Sequence, residues 1–204
     1  MSGEQLPAGR IAVFDCFSGI AGDMTLAALL DAGAPLEDVR AGLARLALPA
    51  FEIEATRVQR GGLAALHVTV KVSAERTYQP EEMRALVRAA GLPARVEERA
   101  RTAIGWLERG EALAHGTENP HLHEAGGVDA VVDIVGSMLA LEALGIDAAW
   151  CPVVTVGAGT MTRSAHGAIP ASPGPAAANL LEQAGFPTCF VQAAPELVRQ
   201  TGAA

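Results

Sequence analysis

Residues 128–145, VDAVVDIVGSMLALEALG, limit the fold of this chain more than any other stretch. Their spacing is helical, and only Asp129, Asp133 and Glu142 are charged. A helix that is apolar nearly all round is buried on most sides, so the remaining elements must wrap around it. The carboxylate of Asp133 lies inside that apolar stretch, and a buried carboxylate needs a partner. At 204 residues the chain has the length of one substantial domain and needs no disulfide or structural metal to fold.

The flanking segments supply the wrapping. Residues 10–17, RIAVFDCF, read as a short buried strand ended by the glycine loop SGIAGD. Residues 23–32 have helical spacing with Gly33 as a stop, and Pro35 opens a second helix. FEIEATRV and LAALHVTVKV, separated by residues 59–62, predict an antiparallel hairpin. SAERTYQP then reads as a polar linker, followed by helices over 81–90 and 93–114. After the apolar helix, residues 149–156 read as one buried strand and 157–175 as a long glycine- and proline-rich loop. A helix over 176–184 and a strand over 188–193 close the chain. This order predicts a mixed α/β (α+β) fold: a single domain over 10–204, after a disordered tail at 1–9.

Composition excludes several functions. Half the residues are hydrophobic and 19% are charged, which is not the balance of a disordered chain. A net charge of −8 argues against nucleic acid as a partner. No uncharged apolar run reaches the ~18 residues of a membrane span, and MSGEQLPAGR lacks the apolar core of a secretory signal. Three widely spaced cysteines make no disulfide framework, and together these features predict a cytoplasmic location. Cys151 and Cys189 fall in apolar strands and are expected in the core. Cys16 sits in the first glycine loop as a ligand or nucleophile, with no histidine beside it in sequence to activate it.

Three loops carry the chemistry, and they are expected to converge. In DCFSGIAGDM a strand feeds a glycine loop into a helix N-terminus, where free N–H groups and the helix dipole favour an anion. Ser18, Gly19 and Gly22 are the expected phosphate pocket. Asp15 and Asp23 bracket the loop as candidate catalytic residues holding a bridging cation; the alternative is that Asp23 only caps its helix. In HLHEAGGVDAVVD, His121 and His123 share a face if extended, and Asp129 and Asp133 stand at i and i+4 on one helix face. Imidazoles suit nickel, zinc or copper, and carboxylates suit magnesium or manganese, so these four residues are candidate metal ligands. In the third loop, VGAGTMTRSAHGAIP, Gly157 and Gly159 permit close backbone approach and Arg163 can clamp a phosphate. His166 there adds a fifth candidate metal ligand. For this third loop a rigid surface loop is the alternative.

FDCFSGIAGDM, HLHEAGGVDAVVDIVG and VGAGTMTRSAHGAIP, in that order, resemble the nickel-insertion family of nickel-pincer cofactor biosynthesis. The resemblance runs from about residue 11 to the C-terminus. It implies a nickel chelatase of the lyase class that installs nickel in pyridinium-3,5-bisthiocarboxylic acid mononucleotide, the cofactor precursor of lactate racemase. That reaction consumes CTP with manganese or magnesium and forms nickel–carbon and nickel–sulfur bonds. Two departures stand out. Family members often carry a histidine-rich stretch where this chain has SAERTYQP, and they have a C-terminal nucleotide-binding domain. PELVRQTGAA resembles the junction before that domain, so the activity is expected to require a separately encoded or missing partner. The residues alone also fit a metal-dependent phosphohydrolase or a non-catalytic scaffold.

Overall fold

The structure is a computed structural model that describes residues 8–158, 162–164, 167–169, 173–192 and 196–204, with the backbone alone at 124, 162–164 and 167–169. In chain order the first half runs β1 (Ile11–Val13), α1 (Gly22–Asp31), α2 (Leu36–Leu43), β2 (Phe51–Arg60), β3 (Leu63–Val72), α3 (Pro80–Ala89) and α4 (Ala94–His115). A 3-10 turn at Glu124–Gly126 leads into α5 (Val128–Ala143), then β4 (Ala148–Trp150), β5 (Val154–Gly157), β6 (Thr162–Ser164) and β7 (Gly167–Ile169). The chain closes with α6 (Pro175–Ala184), β8 (Thr188–Val191) and α7 (Gln200–Ala203).

The apolar helix α5 sits at the centre, packed on α1, α2 and α4, as its lack of a polar face requires. Leu26, Leu43, Ile104, Leu107, Val131 and Val135 are fully buried around it. The hairpin β2–β3 pairs from Phe51↔Val72 to Arg60↔Leu63 and turns on Gly61 and Gly62, both at positive φ. A smaller apolar cluster of Cys16, Val154, Val156, Ala177, Leu181 and Val198 lies where the loop after β1 meets β5 and α6. Among the described residues no helix is long and apolar enough to cross a membrane. The mixed α/β architecture is the one expected. Of the expected tail, residues 1–7 lie outside the described residues, and the Arg10 amide is already anchored on Asp147 at 2.9 Å.

Several local expectations are corrected. The strand expected over 149–156 is two strands: β4 pairs parallel to β1, β5 pairs parallel to β8, and the break falls at Cys151–Pro152. Proline has no N–H to continue a ladder, which lets the chain change partners there. The expected long loop contains a short antiparallel hairpin, β6–β7. Strand β1 is shorter than residues 10–17 and is not fully buried, since Val13 is 60% exposed. Cys189 is exposed, not a core residue, because among the described residues β8 pairs with β5 alone and is exposed along its whole length. The linker SAERTYQP is anchored: Tyr78 is fully buried and its amide donates to the Gly126 carbonyl at 2.8 Å. Next to it the Leu122 amide donates to Gln79 Oε1 at 3.1 Å, which fixes the second loop against α3.

Candidate functional site

The first loop enters α1 at Gly22, with Ala21 at the N-cap and no side-chain cap, so Asp23 is a first-turn acid and not the cap. The first amides of that helix are engaged by the protein itself. Gly22 N–H donates to Thr201 Oγ1 at 3.2 Å, the Asp23 N–H faces the Asp133 carboxylate, and Met24 N–H donates to Asp23 Oδ1 at 2.9 Å. At the expected phosphate pocket the amides of residues 22–24 thus have internal partners. The Asp133 carboxyl group occupies the position a ligand phosphate was expected to take, and it accepts from the Asp23 amide there.

The two glycines serve close packing. A Cβ on Gly22 would lie 2.7 Å from Asp133 Oδ2 and 2.8 Å from Thr201 Oγ1. Gly19, at φ +83°, lies under the Leu197 carbonyl, 1.9 Å from where a Cβ would stand. Around it the Ile20 amide donates to Leu197 O at 2.9 Å and the Arg199 amide to Ile20 O at 3.0 Å. Residues 197–201 therefore clasp the first loop from one side while α5 meets it from the other.

Asp133 is 9% exposed. Burial, with the negative charges of Asp23 and Asp129, pushes its carboxyl up to about 8, against the pull of the Asp23 amide and Arg199. It is therefore protonated at neutral pH. Among the described residues its Oδ1 has no hydrogen-bond partner, and neither does Ser137 Oγ one turn further on. Both residues line a cavity of about 230 Å³, whose apolar wall includes Phe14, Trp150 and Phe186. Cys16, Cys151 and Thr201 line it too, with Cys151 Sγ 3.6 Å from Cys16 Sγ. Burial, contact with Cys151 and the charge of Asp15 push the Cys16 thiol up to about 12. A mainly apolar chamber with a few buried, unpartnered polar groups is how small-molecule sites are built.

The first loop and the acidic face of α5 thus come together through Asp23, Asp129 and Asp133. Asp15 and Ser18 are exposed on the loop, and Gly157 is buried at the end of β5. His121 and His123 are exposed, and the His123 ring lies 6.4 Å from that of His115, which meets Glu111 at 3.2 Å. Among the described residues no three His, Cys, Asp or Glu side chains are grouped to hold a metal ion. His121, His123, Asp129 and Asp133 therefore do not form one closed ligand set. Gly159, His166 and the side chain of Arg163 lie outside the described residues. Ser137, Cys151 and Thr201 were not anticipated in the site. Ser137 had a signal, since it and Asp133 are the only polar residues between 130 and 141 and stand at i and i+4.

Residues 12–204 match the family model described as "Nickel insertion protein". The chain belongs to the nickel insertion protein family. Relatives named "Putative nickel insertion protein" include one from Geotalea daltonii, 40% identical over 200 residues, covering 96% of this chain and 50% of the relative. One from Roseiflexus castenholzii is 40% identical over 198 residues, covering 96% and 50%. One from Pelobacter propionicus is 44% identical over 174 residues, covering 83% and 44%. The chain spans about half the length of the curated relatives it matches. No solved structure matches it. The match to this nickel insertion family takes in the first loop from its aspartate onward, the acidic face of α5 and the clasping segment together.

Proposed function

We propose that this chain is the metal-handling half of an enzyme that inserts nickel into pyridinium-3,5-bisthiocarboxylic acid mononucleotide, giving a nickel-pincer cofactor of the lactate racemase type. The observation that carries this reading is the meeting of two motif segments: Cys16 of the first and Asp133 of the second line one cavity, and Gly22 and Asp23 of the first pack against Asp133. Nickel is the substrate ion. His121 and His123 are the exposed imidazoles that capture it, with Asp129 in the first turn of α5 and His166 as further ligands. The cavity receives the ring of the precursor, with Asp133 and Ser137 supplying hydrogen bonds to it. Ser18, Gly157, Gly159 and Arg163 are left to hold the precursor's phosphate, since Gly19 and Gly22 are committed to packing. CTP, with manganese or magnesium, acts on a C-terminal domain corresponding to the other half of the relatives. Asp15 and Asp23 face that cation from this side as oxygen donors of the right kind. The reaction is cytoplasmic, needing neither membrane nor nucleic acid.

Incubating the chain with the precursor, nickel and CTP, with and without such a domain, tests the reading. Cofactor formation that requires the domain supports it. Phosphate release from generic esters supports a metal-dependent phosphohydrolase instead, and neither activity supports a scaffold. Replacing His121 and His123 together by alanine is expected to weaken nickel binding about tenfold or more while leaving the fold intact. Calorimetric titration showing unchanged affinity would remove the histidines from the assignment.

A further inference from the structure

The thiols of Cys16 and Cys151 meet across two segments that the backbone holds in register. Val13 pairs with Trp150, the Phe14 amide donates to Trp150 O at 2.9 Å, and Cys16 bridges to Val154. The contact is thus fixed by strand pairing on both sides of it. We propose that Cys16 and Cys151 form a two-thiolate site for a thiophilic divalent cation.

Geometry carries the proposal. At a metal–sulfur bond of about 2.3 Å, sulfurs this far apart subtend about 100° at a shared ion, close to a tetrahedral angle. The observed Sγ···Sγ separation is 3.6 Å. Among the described residues each thiol otherwise reaches a nearby carbonyl, Cys16 that of Phe14 at 3.9 Å and Cys151 that of Val153 at 3.5 Å. Both cysteines line the cavity that also holds the unpartnered Asp133 Oδ1 and Ser137 Oγ. An ion held by two sulfurs at that wall keeps coordination positions open toward the chamber, where another molecule's donors can reach it. The reaction balances as two thiols plus M²⁺ giving the dithiolate complex and two protons, with no redox change. If the proposed function holds, on which only this clause rests, the pair presents nickel on sulfur to an acceptor that itself carries sulfur donors.

The test is to titrate the whole chain with nickel(II) and with cobalt(II), under a phosphine reductant and without added thiol. A sulfur-to-metal charge-transfer band that saturates at one ion per chain is expected. After the phosphine is removed under anaerobic conditions, bound metal should protect two of the three thiols from Ellman's reagent, leaving the exposed Cys189 reactive. Cys16→Ser and Cys151→Ser should each weaken cobalt binding by more than about tenfold, whereas the His121 and His123 double variant should keep the band. Cys151 is only partly buried, so Cys151→Ser carries the test if Cys16→Ser fails to fold. No band in the wild type, or a band that survives Cys151→Ser, overturns the proposal. So does loss of two reactive thiols without metal that reductant restores, which would mark a disulfide pair. A normal band without cofactor formation would defeat the proposed function and leave the site standing, and cofactor formation without the band would do the reverse.

Discussion

Replacing Gly19 by alanine should destabilise the protein by about 3 kcal/mol or more, which for a chain of this length lowers Tm by about 6–12 °C. Two penalties combine. The added Cβ would stand 1.9 Å from the Leu197 carbonyl oxygen, a backbone atom that cannot rotate away, and φ is +83°. Relief requires residues 197–201 to lift off the first loop, which strips the Gly22 amide of Thr201 Oγ1. Gly61→Ala is the internal control: its φ of +55° is also positive, but nothing lies within 4 Å of its Cβ position. That variant should lose only about 1 kcal/mol, from conformation alone. Thermal unfolding of the two variants side by side decides the matter. Equal shifts would mean that the clasp contributes no packing.

The second large effect is a pH dependence centred on Asp133. In the folded chain it keeps its proton up to about pH 8, against an ordinary carboxyl value of 3.8. Between those values the folded state therefore holds one more proton than the unfolded state, and stability falls as pH rises. The slope is about 1.4 kcal/mol per pH unit, on the order of 5 kcal/mol across the window. Asp133→Asn cannot ionise and should flatten that slope, becoming more stable than the wild type near pH 8 and losing the advantage near pH 5. Asp147 acts in the opposite sense and outside the window. The Arg10 amide and Arg95 hold it below the ordinary range, so its contribution is lost only as pH falls below about 4. Urea midpoints for both chains at several pH values check this, and parallel pH profiles would show that Asp133 is not the titrating group.

The parts of this fold that were legible are those whose reason is local. Helix α5 shows in its apolar composition, the β2–β3 hairpin in its glycine pair, and Asp133 in being a carboxylate where none belongs. The parts that were not legible depend on distant partners. Nothing near Pro152 says that the chain will leave β1 for β8, and the glycines and prolines of 157–175 mask the short β6–β7 hairpin. Gly19 and Gly22 read as an anion loop because their local pattern is that of one. Their occupant is supplied by α5 and by residues 197–201, which local pattern cannot reveal. Cys151 likewise looked like one more core cysteine until strand pairing set it against Cys16.

The bond from Gly22 to Thr201 joins residues 179 positions apart. Closing so wide a loop has an entropic cost that local helices do not meet, and contacts of such separation form slowly. The helices around α5 can form and pack before this seam does, so the candidate site is expected to be a late product of folding. The same asymmetry holds in reverse: the seam can part without dissolving the helical core. Amide hydrogen exchange at Ile20, Gly22 and Arg199 should then report an opening cheaper than global unfolding, while the amides of α5 exchange only when the whole chain unfolds.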